Sequence, residues 1–179
     1  MQLLKIHDKL FQPYIQATDI QTRVLEMSAQ ISADYHGLDP LFIAILNGSF
    51  IFAADLFRHI SIPAEISFIK LASYKGTTST GNVITAIGLD ENLSGRHIVI
   101  LEDIVDTGRT LNAFLPEIWQ RQAASVKIAS FLTKPTALQF PEMQPQYVGF
   151  EIPDNFVVGY GLDYDGQGRN LADLYTLAG

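Results

Sequence analysis

The sequence predicts an α/β fold, a mostly parallel twisted sheet flanked by helices. Short apolar runs rich in β-branched residues alternate with stretches of helical period, which is the pattern of strands separated by crossover helices. The run Leu41-Phe42-Ile43-Ala44-Ile45-Leu46 is unbroken, as a strand covered on both faces must be. With 179 residues, 47% of them apolar, the chain can fill one core but not two, so residues 1–179 are expected to form one domain.

The first clear element is a helix from about Asp19 to Tyr35. Ile20, Val24, Met27 and Ile31 share one face, Thr18 or Asp19 can cap it, and Gly37 ends it. After the buried run, Asn47-Gly48-Ser49 turns the chain into a helix that ends near His59. Ile66 to Leu71 and Val83 to Ile87 read as strands joined by a polar loop from Ser73 to Gly81. His97 to Leu101 is a buried strand, Thr110 to Gln122 a helix, and Val126 to Leu132 a further strand. Pro135 to Pro145 is irregular, Tyr147 to Glu151 and Phe156 to Val158 are short strands, and the end is glycine-rich, then weakly helical. Parallel sheets gather ligands at the carboxyl ends of their strands, so the loops after Leu46, Leu101 and Leu132 are expected to meet at one crevice.

Composition excludes several classes. There is no cysteine, hence no disulfide framework or thiolate metal site, and His7, His36, His59 and His97 have no ligand spacing. A formal charge of −7 disfavours nucleic acid and anionic membranes as partners. Apolar runs fall far short of the roughly 20 residues that cross a bilayer, and no cleavable leader is visible at the N-terminus, so a soluble, cytoplasmic protein is expected.

The densest chemical signal is Val99-Ile100-Leu101-Glu102-Asp103-Ile104-Val105-Asp106-Thr107-Gly108-Arg109-Thr110-Leu111. A buried strand runs into two adjacent carboxylates and then into a turn that opens a helix. Such a turn aims backbone N–H groups and the Thr107 and Thr110 hydroxyls at one point, where the helix dipole favours an anion, and Gly108 lets that anion come close to the backbone. Glu102 and Asp103 stand beside it at about the reach of a sugar ring, and paired acceptors suit vicinal hydroxyls. Ribose 5-phosphate fits both halves.

This segment resembles the phosphoribosyl pyrophosphate motif of the type I phosphoribosyltransferases. Leu46-Asn47-Gly48-Ser49, Ser73-Tyr74, Lys134-Pro135 and the stretch from Val148 to Tyr164, with Phe156-Val157-Val158-Gly159-Tyr160-Gly161-Leu162-Asp163-Tyr164 at its heart, are similar to the hypoxanthine-guanine branch, in family order from about residue 41 to 171. The resemblance implies the type I core with a small hood built from the terminal segments. It implies transfer of the 5-phosphoribosyl group from phosphoribosyl pyrophosphate to hypoxanthine, and to guanine, giving the nucleotide and pyrophosphate. Mg2+ is the implied cofactor, and a homodimer or homotetramer the implied assembly.

By the same resemblance, Glu102 and Asp103 hold the ribose hydroxyls, partly through metal-bound water. Asp106, Thr107, Gly108, Arg109 and Thr110 bind the 5-phosphate, and Asp106 also serves as general acid or base at the purine N7. Lys134 donates to the 6-oxo group, Phe156 stacks on the base and the Val157 backbone reads its edge. Asn47, Gly48 and Arg169 hold pyrophosphate, Asp163 is a second metal ligand, and Ser73 and Tyr74 belong to a closing lid. In two places the chain departs from the pattern. Asn47 stands where many relatives carry lysine, and Gly166 and Gly168 stand where bulkier residues are common, which bears on how Arg169 is placed.

Taken singly, these residues have blander readings. An acidic pair at a strand end is usually solvated, an Asp before Thr-Gly is usually a helix cap, a lone lysine is usually on the surface and a lone phenylalanine usually in the core. Order and company favour the site. Trp119, Phe42, Phe50 and Phe52 read as core. A signalling receiver domain also combines an acidic pair, a threonine and Lys-Pro, but spreads them over most of its length; here they sit within one strand-helix-strand unit. A regulatory relative that keeps the nucleotide site and binds nucleic acid is the other alternative, and the low pI and the retention of Asp106, Lys134 and Arg169 speak against it.

Overall fold

The structure, a computed structural model, describes residues 3–75 and 82–178, with the backbone alone for 72–75 and 82–85. It opens with a hairpin that the sequence reading did not anticipate, β1 (Leu4–Ile6) and β2 (Lys9–Ile15), which turns through His7 and Asp8 with His7 at φ +51°. The turn lacks the glycine that marks most such hairpins and β2 contains Pro13, so the usual signals are missing.

Helix α1 (Ala17–Asp34) buries Ile20, Val24, Met27 and Ile31, the face that the 3.6-residue period predicts. Its cap differs from expectation. Thr18 and Asp19 lie inside the helix, and the first N–H is satisfied from far along the chain, where Ala17 N donates to Asp173 Oδ1 at 2.7 Å. Next come β3 (Leu41–Leu46), α2 (Phe50–Arg58), β4 (Glu65–Lys75), β5 (Asn82–Ile87), β6 (His97–Val105), α3 (Arg109–Gln120) and β7 (Ser125–Thr133). A 3-10 turn at Pro141–Met143 then leads to β8 (Tyr147–Glu151), β9 (Val157–Val158) and β10 (Leu174–Leu177).

The main sheet has the order β5-β4-β3-β6-β7-β8, parallel throughout except for β5. Central β3 explains the sandwich. Phe42 and Ala44 face a core shared with α1 and α2, while Leu41, Ile43 and Ile45 face a second core shared with α3. A smaller antiparallel sheet, β1-β2-β10-β9, joins the two ends of the chain into the expected hood around Ile6, Phe11 and Val158.

Several expectations are corrected. The C-terminal segment is strand β10 rather than weak helix; Leu174 and Thr176 are buried and alternate with Tyr175 and Leu177, a period of two. Trp119 is 50% exposed and Phe50 42%, so neither is core, although Phe42 and Phe52 are fully buried. Ser73 and Tyr74 continue β4, paired with Ile84 and Val83, instead of starting a loop. Their side chains, and residues 76–81 of the expected lid, lie outside the described residues. Among the described residues, no helix is long and apolar enough to cross a membrane.

Candidate active site

β3, β6 and β7 lie side by side and parallel, so the segments that leave their carboxyl ends meet above one edge of the sheet. The acidic pair sits one step earlier than expected. β6 continues through Glu102 to Val105, with Glu102 opposite Ser130 and Val105 opposite Thr133. Neighbours on a strand face opposite ways. Glu102 lines a cavity of about 90 Å³ together with residues 104–111, whereas Asp103 lines a cleft of about 200 Å³ with Lys134, Phe156 and Asp163.

Both carboxyls are pushed above their ordinary range. For Glu102 the first cause is burial and the second is the charge of Asp103. For Asp103 burial again leads, opposed by the Ile104 N–H, which donates to Asp103 Oδ1 at 2.9 Å, and by the positive charge of Arg169. Among the described residues, no cationic side chain forms an ion pair with either. The pair therefore stores an electrostatic cost that a bound cation or hydroxyl donors would relieve.

The small cavity is the turn between β6 and α3, lined by Asp106, Thr107, Gly108, Arg109 and Thr110. The first N–H groups of a helix have no partner within it, so this end is a natural anion seat. Gly108 lines this cavity and also meets a packing need. It takes φ +78°, and a β-carbon there would meet Leu138 Cδ1 and Met143 Cβ at 3.1 Å, so its bare side faces the proline-containing segment packed beneath the turn. That segment also holds the turn from outside, where Gln139 N donates to the Thr107 carbonyl at 3.0 Å and Arg109 Nε donates to Gln139 Oε1 at 3.0 Å.

Lys134 leaves β7 into the larger cleft and is only 8% exposed. Its ammonium donates to Asp154 Oδ1 at 2.9 Å and to Asp106 Oδ2 at 3.3 Å. Burial alone would favour the neutral amine, but the hydrogen bond to Asp154 and the charge of Asp106 more than offset it and raise the pKa above that of an ordinary lysine. Asp154 was not foreseen, since nothing in Pro153-Asp154-Asn155 says which cation it will meet. The same cleft is lined by Ile104, Asn155, Phe156, Val157 and Leu162. Phe156 presents a ring that is 43% exposed while its carbonyl accepts from Leu177 N and Thr176 Oγ1 of β10.

The loop after β3 closes on the acidic pair. A β-carbon on Gly48 would overlap Asp103 Oδ2, and one on Gly161 would overlap the Gly48 carbonyl oxygen, so three segments touch through bare backbone. Asn47 is exposed beside them, and the Leu46–Asn47 peptide is cis. Arg169 is firmly placed despite the nearby glycines. Its Nη1 donates to the Gly161 carbonyl and its Nη2 pairs with Asp163 Oδ1, each at 2.7 Å, while Gly166 N donates to Asp163 Oδ2.

Apart from the Ser73 and Tyr74 side chains, the expected residues thus lie at the small cavity, the larger cleft and the Gly48–Arg169 junction; Asp106 lines both cavities, and Asp103 lines the cleft and meets Gly48. Among the described residues, no three carboxylate or imidazole groups converge on a ready-made metal cage. Mg2+ takes one or two carboxylates and draws its other oxygens from substrate phosphates and water. Glu102 and Asp103, buried side by side with no cationic ion-pair partner among the described residues, fit such a role. Asp163 would have to share oxygens already bonded to Arg169 and Gly166, within the capacity of a carboxylate.

Comparison with known proteins agrees with this geometry. The phosphoribosyl transferase domain family matches residues 16–165. The hypoxanthine-guanine phosphoribosyltransferase of Bacillus subtilis is 41% identical over 164 residues, 91% of each chain. That of Streptococcus agalactiae is 42% identical over 154 residues, covering 86% of this chain and 85% of the relative. Among solved structures, a hypoxanthine phosphoribosyltransferase from Staphylococcus aureus superimposes with a TM-score of 0.87 at 35% identity, covering 96% of this chain and 94% of the other.

Proposed function

Since the chain belongs to the phosphoribosyltransferase family, in its hypoxanthine-guanine branch, we propose that it is a purine-salvage enzyme that transfers the 5-phosphoribosyl group of phosphoribosyl pyrophosphate to hypoxanthine and guanine. The observation that carries the reading is the junction of two chemically distinct seats at Asp106. One is a cavity of about 90 Å³ at a helix N-terminus, sized for a phosphoryl group, and the other is a cleft of about 200 Å³ lined by Phe156, Ile104, Val157 and Lys134, suited to a planar oxopurine.

In this reading the 5-phosphate sits on the turn from Asp106 to Thr110, and Glu102 and Asp103 face the ribose. The base lies between Ile104 and Phe156, with its 6-oxo group at Lys134 and its edge at the Val157 backbone. Asp106, 3.3 Å from Lys134, reaches the purine N7 and exchanges a proton there as N9 attacks the anomeric carbon. Departing pyrophosphate meets Arg169 and the Asn47-Gly48 backbone. Glu102, Asp103 and Asp163 would hold Mg2+, which would supply positive charge to offset the negative charge building on the leaving group. Asn47 brings no cation of its own, so Arg169 and the metal carry that task. A soluble, cytosolic homodimer or homotetramer remains part of the proposal.

The test supplies phosphoribosyl pyrophosphate and Mg2+ with hypoxanthine, guanine, xanthine and adenine in turn and follows nucleotide and pyrophosphate. Hypoxanthine and guanine should turn over and adenine should not, because Lys134 donates where adenine also presents donors. Absence of turnover with every 6-oxopurine would overturn the reading.

A further inference from the structure

Among the described residues, Phe156 is the one aromatic side chain lining the larger cleft, and its ring meets aromatic and cationic neighbours from outside that cleft. Phe11 meets its ring at 6.2 Å between centroids, Tyr164 stands edge-on at 5.7 Å and 83°, and Lys9 Nζ lies 5.5 Å from its centroid. The same ammonium is 4.5 Å from the Tyr164 centroid, so it occupies the corner between two nearly perpendicular rings. Lys9 and Phe11 are two apart on β2 and therefore share its inward face. None of Lys9, Phe11 and Tyr164 is among the residues that line the cleft.

We infer that Lys9 is a positioning residue of the purine subsite, its ammonium fixing the angle at which Phe156 meets the base. The inference rests on reading Phe156 as the purine platform. The Phe156 backbone is already pinned, since its carbonyl accepts from Leu177 N and Thr176 Oγ1. What stays free is the ring torsion, which is broad for phenylalanine, on a side chain that is 43% exposed. A cation prefers the face of a ring and an aromatic neighbour prefers an edge-to-face contact, so Lys9 and Tyr164 together select one torsion. Tyr164 is itself held, its hydroxyl donating to Asp8 Oδ1 at 2.7 Å. Among the described residues, Lys9 forms no ion pair that would compete for its charge. The hairpin that joins the hood to the core thereby reaches the base without touching it.

Steady-state kinetics on Lys9→Met, Lys9→Arg and Phe156→Leu test this in the full chain. Lys9→Met keeps the stem and removes the charge; it should raise KM for hypoxanthine about two- to five-fold and leave KM for phosphoribosyl pyrophosphate unchanged. Lys9→Arg should restore the first value, and Phe156→Leu should raise it further. If Phe156→Leu raises the hypoxanthine KM and Lys9→Met does not, the inference is wrong and the platform stands. Equal movement of both KM values in Lys9→Met would make Lys9 a general structural residue and overturn the inference. A hypoxanthine KM unmoved by Phe156→Leu would remove the platform and the inference together.

Discussion

Gly48 rests its backbone so closely on Asp103 that any β-carbon at residue 48 would occupy the space of Asp103 Oδ2. The loop after β3 and the acidic pair on β6 are thus in direct contact, and a side chain at residue 48 would have to displace the carboxylate or the loop proposed to hold pyrophosphate. Gly48→Ala is expected to lower kcat/KM for phosphoribosyl pyrophosphate by about 100-fold or more, since displacements of about 1 Å at reacting groups have that effect. A variant that keeps the far-ultraviolet circular dichroism of the parent and full activity would contradict the coupling.

Asp106→Asn keeps the shape of the turn and removes the proton acceptor. Turnover should fall by roughly 100-fold or more, with phosphoribosyl pyrophosphate binding largely retained. Isothermal titration beside steady-state kinetics separates the two; equal loss of binding and turnover would argue against proton transfer.

Lys134 is oriented by two carboxylates at 2.9 and 3.3 Å, and Asp154 is the nearer. Lys134→Met should raise KM for hypoxanthine at least about ten-fold, the worth of one charge-assisted hydrogen bond, with little change for phosphoribosyl pyrophosphate. Asp154→Asn should give the same pattern at smaller size, because its side chain is 70% exposed and solvent screens the pair. A uniform effect on both substrates would undercut the assignment of Lys134 to the base.

Glu102 carries a stability cost whose sign can be stated. Burial and then the charge of Asp103 raise its folded pKa above the unfolded value of about 4.3, so the folded state binds the proton more tightly. Stability is full below that value and is lost as pH rises from there through the folded pKa. Glu102→Gln cannot ionise, so in protein free of metal and substrate it should melt about 2–4 °C higher than the parent at pH 8, while losing activity. A lower melting temperature at pH 8, measured calorimetrically, would show that the ionised carboxylate stabilises the empty site.

Local sequence carried much of this. The unbroken run at Leu41–Leu46, the single apolar face of α1 and the turn from Asp106 to Thr110 each follow from short-range chemistry, and the structure forms each where the sequence puts it. What stayed hidden depends on distant partners. Asp173 caps α1 across 156 residues, Lys134 finds Asp154, and β10 becomes a strand only because β2 and β9 offer edges to pair with. The acidic pair was legible as a pair, but β6 outlasts its apolar run, so the two carboxyls sit buried within the strand, in contact with each other, and line different cavities.

The central claim is that the turn opening α3 holds the phosphoryl group of the nucleotide while the acidic pair faces its ribose. A crystal structure with inosine monophosphate tests it most directly. The phosphate should fill the cavity lined by Asp106 to Leu111, accepting from the Thr107–Thr110 amides, with the base against Phe156 and its oxo group at Lys134. Phosphate bound elsewhere, with that cavity empty, would contradict the account.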